Sequence, residues 1–236
     1  MNLRFAQVLF SFVAVAALAA CGGGGGGSSS PVAAPATTNF PIKAAVANSF
    51  KNSVSLPFKI SGASSGVSIS GNGTVTRGTP VSAVFEGGTA LKQTSTITGA
   101  VLVGTTSVPL ASVSNSFTDT NYNPLGSIAD GEYSVIIGVA NIPVAANIND
   151  TGTVYTANTF TNSTKSVRTG TTTVSFALQP DTSTTGLLKV ISVSKDLAGT
   201  TKLTSTLTIR VDAIGSITYL SEAALYPNGD TLTLTY

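Results

Sequence analysis

The chain has 236 residues, only 9% of them charged, with a net charge of +2 and no histidine. Without clustered Lys and Arg it lacks the means to neutralise phosphates, and without His it has neither Ser-His-Asp nor Cys-His catalysis nor His-ligated metal sites. A 42% hydrophobic share, with about 27% Ser plus Thr, also separates it from disordered sequences, which are poorly apolar and highly charged.

In chain order, residues 1–20 come first. Arg4 is their only charge, and an apolar run follows over 5–20, short of the roughly 20 residues that span a bilayer. A charged start, a short apolar core and small residues at its end read as a secretory signal. The run ends Leu18-Ala19-Ala20-Cys21, and Cys21 is the only cysteine. This segment resembles the bacterial lipobox, an aliphatic residue and two small residues before an invariant Cys. The resemblance implies cleavage before Cys21, diacylglycerol on its sulfur and an acyl chain such as palmitate on its new amino group. Several acyl chains at about 0.8 kcal/mol per buried CH₂ make an effectively permanent anchor. Gly22 follows the Cys where inner-membrane lipoproteins of enteric bacteria carry Asp, so the resemblance points to the outer membrane.

Residues 21–38 read as a lipidated Cys and a flexible Gly/Ser/Pro-rich tether, with a reach of roughly 20–25 Å. Residues 39–236 read as a single β domain. One short N-terminal helix is a candidate over 40–51, where Ile42, Val46 and Phe50 share a face, Asn39 could cap and Pro41 falls in the first turn. Beyond it the period is two. Leu203, Ser205, Leu207, Ile209 and Val211 alternate with Lys202, Thr204, Thr206, Thr208 and Arg210. Val174, Phe176 and Leu178 share a face, as do Ile217, Tyr219, Ala223 and Leu225, and Leu232, Leu234 and Tyr236. Turn signals punctuate the chain at 63–66, 104–107, 162–165, 197–200, 212–215 and 227–230. The expected fold is all-β, an antiparallel meander of about 11–12 strands closed as a barrel or a two-sheet sandwich. Within 108–117 the apolar phase shifts between Leu110 and Val113, which predicts a bulge. The segment 140–153 is the candidate boundary if the chain divides.

Three motifs bear on chemistry. Gly62-Ala63-Ser64-Ser65-Gly66 matches a nucleophile elbow but sits between two strands, where a hairpin turn is expected. Ser192 and Lys195 match the Ser/Lys dyad spacing, but in a strand an odd separation points the two side chains to opposite faces. The stretch 119–130 places oxygens in a calcium-loop pattern through Asp119, Asn121, Asn123, Ser127 and Asp130. Pro124 stands where that loop needs Gly, and the same residues read as an inter-strand loop built on Asx turns.

No catalytic set emerges, so an enzyme is not expected, nor is a cofactor or a metal beyond the calcium-loop candidate. The expected function is a non-catalytic binding or structural role of a lipid-anchored envelope lipoprotein at the outer membrane, with an unknown envelope protein or apolar ligand as partner. The alternative is a carrier holding an apolar ligand or lipid in a β-barrel cavity.

Overall fold

The computed structural model describes residues 37–129 and 131–236. Leu18, Ala19, Ala20 and Cys21 therefore lie outside the described residues, as does Asp130. The described chain runs β1 (Asn39–Phe40), α1 (Ile42–Lys51), β2 (Val54–Ser64), β3 (Val67–Arg77), β4 (Val81–Phe85), β5 (Gly88–Val103), β6 (Thr106–Thr118) and β7 (Pro124–Ala129). It continues with β8 (Glu132–Ile136), β9 (Ala146–Asn147), β10 (Thr151–Phe160), β11 (Arg168–Pro180), β12 (Thr185–Asp196), β13 (Thr201–Asp212), β14 (Ile217–Leu225) and β15 (Thr231–Thr235).

Twelve of these strands form a closed antiparallel barrel. Neighbours in sequence pair as hairpins from β5 through β8 and from β10 through β15, β8 pairs β10 across the 137–150 segment, and β15 pairs β2. The ring then closes where β3 meets Ser95–Val103 of β5. The segment 140–153 thus connects two adjacent strands of one sheet. β4 is a thirteenth strand, paired with the first residues of β5 on the edge that β3 occupies further along.

Alternation sets the inside and outside of the wall. On β13 the inward row is Leu203, Ser205, Leu207, Ile209 and Val211, all buried, while Thr204, Thr206 and Thr208 face out. β15 turns Leu232 and Leu234 inward and Thr231, Thr233 and Thr235 outward. β-Branched hydroxyl residues suit a pleated face that meets water.

Two expected phases are corrected. β14 keeps Ile217 and Tyr219 inside, but a register shift against β13 at Thr208/Ile209 inserts Leu220 as an extra residue. Ala224 and Glu222 then point inward, and Ala223 and Leu225 point out, so the four predicted residues do not share a face. In β6 the predicted bulge is absent: the pairing with β5 runs without a shift from Thr118 to Thr106. The inward row is Leu110, Ser112, Ser114 and Ser116, and Val113 stands outside at 53% exposure. The strand does not change phase; the wall of the lumen changes from apolar to polar.

One end of the barrel is closed by the N-terminal segment. α1 spans Ile42–Lys51, with Pro41 at the cap position, whereas Asn39 belongs to β1 and donates through Nδ2 to Asn147 Oδ1 at 3.0 Å. Phe40, Ile42 and Ala45 pack with Leu178, Leu188, Ile209, Val211 and Ile217 in one apolar cluster. Gln93 Nε2 donates to the Phe50 carbonyl at 3.2 Å and to the Gly78 carbonyl at 3.0 Å, tying the helix C-terminus to the wall.

A second cluster lies on the outside. Phe85, at the tip of the β4–β5 hairpin, stacks on Phe117 with ring centroids 4.4 Å apart and tilts against Tyr133 at 5.5 Å. Phe117 pairs with Gly126 on the outward face, and the Phe85 ring occupies the space a Cβ at Gly126 would need. Glu86 completes the dock, accepting from the Tyr133 hydroxyl at 2.6 Å and pairing with Lys165. Phe85 is nearly as buried as a lumen residue. Phe85→Ala should therefore cost about 3–5 kcal/mol, the usual cost for a core phenylalanine. Urea denaturation measures this, and a loss below about 0.5 kcal/mol, the range of an ordinary surface change, would mean that the hairpin does not dock.

Candidate functional site

The barrel is packed in one half and hollow in the other. Phe58, Ile60, Ile69, Val75, Ile97, Leu232 and Leu234 on β2, β3, β5 and β15 fill one lobe. Sharp coiling of the wall there relies on glycine: at Gly73 a Cβ would meet the Thr98 carbonyl at 2.3 Å and the Phe58 ring at 2.6 Å. The other lobe, walled by β6, β7, β8, β10, β11 and β12, encloses a cavity of about 450 Å³.

The register shows which lining residues point inward. Ser116 pairs with Ser127, Ser127 with Ser134, Ser134 with Thr159, Thr172 with Ser194 and Ser194 with Leu203, each pair on the same face. The inward lining thus carries six hydroxyl residues: Ser116, Ser127, Ser134, Thr159, Thr172 and Ser194. Ala129, Ile136, Ala157 and Leu203 add short apolar surface between them. Tyr155 also lines the lobe, its hydroxyl pushed up to about 12 by burial. Glu132 stands beside Ser134, and burial raises its carboxyl above the usual range, against the opposing hydrogen bond from Ser134.

Several lumen hydroxyls have no protein partner. Ser116 Oγ is one, and Ser114 and Ser95 continue the same polar surface across β6 and β5. Halfway round the ring, Ser192 on β12 and Ser205 on β13 are paired residues whose hydroxyls are likewise buried and unpartnered. A buried polar group without a partner costs about 1–3 kcal/mol. Of these five, Ser116 lines the cavity, while Ser95, Ser114, Ser192 and Ser205 lie buried in the inward rows outside its lining.

Phe50 of α1 forms the floor of the cavity. Tyr226, Thr161 and the Lys202–Asp196 pair, 3.0 Å apart, belong to the hairpin turns at the opposite end and form its rim. The cavity opens at the end away from the helix.

A second polar group sits deeper, beneath the helix. Arg77 donates from Nη1 to the Tyr219 hydroxyl at 2.5 Å, with its guanidinium 5.0 Å from that ring's centroid. Glu222, turned inward by the β14 bulge, accepts from the Tyr236 hydroxyl at 3.5 Å. Burial pushes the Glu222 carboxyl up to about 8, although the positive charge of Arg77 pulls the other way.

The sequence candidates fall differently. Asp119 Oδ1 accepts from the backbone N–H of Asn121 at 2.8 Å and of Asn123 at 2.9 Å, and Asp119 Oδ2 from Asn123 Nδ2 at 2.8 Å. Asp196 makes the same pair of bonds to Ala198 and Thr200, and Asp212 to Ile214 and Ser216. All three turns place a left-handed residue in the fourth position: Tyr122, Gly199 and Gly215. The structure brings Asp119, Asn121 and Asn123 together as one copy of a recurring hairpin turn, with the carboxylate engaged by the turn itself. Ser192 faces the lumen and Lys195 faces out, so that pair is not assembled. Ser64 and Ser65 lie in the β2–β3 hairpin, bonded to Asp230 at 2.7 and 2.8 Å.

The chain matches no family model, no curated protein and no solved structure.

The cavity residues were missed by motif reasoning, yet they leave a trace. Ser112-Val113-Ser114-Asn115-Ser116 puts serine at every second position, which is the period of an inward row. Glu222 leaves none, because its direction depends on the bulge.

Glu222 makes stability depend on pH with a definite sign. Between the ordinary carboxyl value of 4.5 and about 8, the folded chain holds this proton and the unfolded chain has lost it. Stability should then fall as pH rises through this window, by at most about 1.4 kcal/mol per pH unit. Denaturant midpoints from pH 5 to 8 measure the slope, and Glu222→Gln should flatten it. A slope unchanged in Glu222→Gln would place the effect elsewhere.

Proposed function

We propose that this chain is a lipid-anchored binding protein of the bacterial envelope, without catalysis of its own, whose barrel receives a small ligand in its hollow lobe. The cavity of about 450 Å³ carries the reading. It falls in the roughly 300–1,000 Å³ range of small-molecule sites, is open at one end, and is lined by side chains on a rigid closed sheet.

The lipobox-like segment ending in Cys21, followed by Gly22 and a glycine-rich tether, supports anchoring at the outer membrane. The outward rows of Thr and Ser support a barrel bathed in water and held at the membrane by acyl chains, because a bilayer-spanning barrel presents an apolar band outward.

Replacing Cys21 by Ala should move the protein from the membrane fraction to the soluble fraction. Residues 31–236 expressed alone should be monodisperse without detergent. Retention of the Cys21→Ala protein in membranes, or a need for detergent to fold the shorter chain, would overturn the anchored reading.

A further inference from the structure

We infer that the ligand of the hollow lobe is a neutral, polyhydroxylated small molecule of saccharide size. The inference rests on the reading of the lobe as a binding cavity and concerns the chemistry of its lining.

The inward side chains of β6 to β12 alternate hydroxyls with short apolar groups, Ser116, Ser127, Ser134, Thr159, Thr172 and Ser194 between Ala129, Ile136 and Ala157, with the Glu132 carboxyl beside Ser134, its charged form disfavoured by burial. A hydroxyl is both donor and acceptor, so it complements another hydroxyl in either direction. Ser116 is 6% exposed and its Oγ has no protein partner, and Ser114, one step along the same inward row, is in the same state. Two competing chemistries fit this wall less well. Thr172 and Ser194 bond each other at 2.9 Å and Thr159 accepts from Thr169 at 3.0 Å, whereas a wholly apolar ligand would cover Ser116 without bonding it and leave it at its desolvation cost. An anionic ligand would need a cation, yet the lysines at this lobe, Lys195 and Lys202, alternate with inward Ser194 and Leu203 and so belong to the outer face and the rim. The apolar methyl and ring surface of Ala157, Ile136 and Tyr155 suits the C–H face that a sugar ring presents between its hydroxyls. The volume of about 450 Å³ lies in the range of small-molecule sites.

The test is titration of residues 31–236 against glucose, maltose, octyl glucoside and myristate, read by calorimetry and native mass spectrometry. Saturable binding of glucose or maltose at one per chain is expected. Thr159→Val and Thr172→Val keep the side-chain shape and remove the hydroxyl, and each should weaken that binding roughly fivefold. Ala157→Phe should abolish it by filling the lobe. Circular dichroism and the thermal transition establish that each variant is folded. If a variant does not fold, competition between maltose and octyl glucoside for one site replaces it. Myristate binding that Ala157→Phe removes, with no sugar bound, would overturn the polyhydroxyl class and leave the binding cavity standing. Sugar binding unaffected by all three folded variants would place the sugar elsewhere and overturn the inference. No binding of any probe would overturn both.

Discussion

A closed ring of twelve strands encloses more space than its own side chains readily fill. A ring of about eight is just filled by them, so a wider one must flatten, admit a plug or keep a cavity. This barrel does all three. The glycine-marked bend through β2, β3 and β5 brings one side of the wall close enough for Phe58, Ile97 and Leu234 to meet. The N-terminal segment inserts Phe40 and Ile42 into one end. The remaining lobe is lined largely with serine, threonine and alanine, short side chains that leave it unfilled. The cavity thus follows from strand number combined with side-chain size.

The same constraint explains how far the sequence could be read. Where the lumen is packed, apolar residues fall on every second position, and rows such as Leu203 to Val211 and Val174 to Leu178 name the inner face directly. The alternation and the turn residues were enough for an antiparallel meander with about the observed number of strands. Where the lumen is polar, the rule that apolar means inside inverts. Val113 then marks the outer face, and the expected bulge in β6 was an artefact of that rule. A bulge that the pattern did not announce lies at Leu220, where Ile217, Tyr219, Ala223 and Leu225 keep a period of two. It arises from pairing with β13 and not from any residue that requires it. The cavity depends on closure of the whole ring, by β15 on β2 and β3 on β5, and single-strand patterns do not contain that closure. The calcium-loop pattern illustrates the converse: Asp119, Asn121 and Asn123 have the right spacing for a metal because the same spacing caps a hairpin turn.

Polar atoms are tolerated inside this barrel in two distinct ways. Around Arg77, Tyr219, Tyr236 and Glu222 they are grouped, each acting on another, beneath a helix that seals them from solvent. Along Ser95, Ser114, Ser192 and Ser205 they are dispersed over the inward rows and buried without a protein partner. The first arrangement is a structural network whose charge balance responds to pH. The second leaves its hydroxyls at their desolvation cost. The two adjoin in the wall, since Arg77 is the register partner of Ser95 and Glu222 pairs with Leu207, two residues from Ser205.

The pairing of β15 with both β14 and β2 gives the ring a seam. Its five residues, Thr231–Thr235, join strands that lie at opposite ends of the described chain. During synthesis β2 emerges early and must wait for that segment, so β2 and β14 both present unpaired edges until it arrives. Such edges template pairing with other chains, and long-range pairing of this kind forms slowly. The newly made protein therefore passes through a stage in which its later stability is its present hazard, a sheet with two sticky borders and no means of joining them. Its yield in a cell is governed by what shields those borders in the interval.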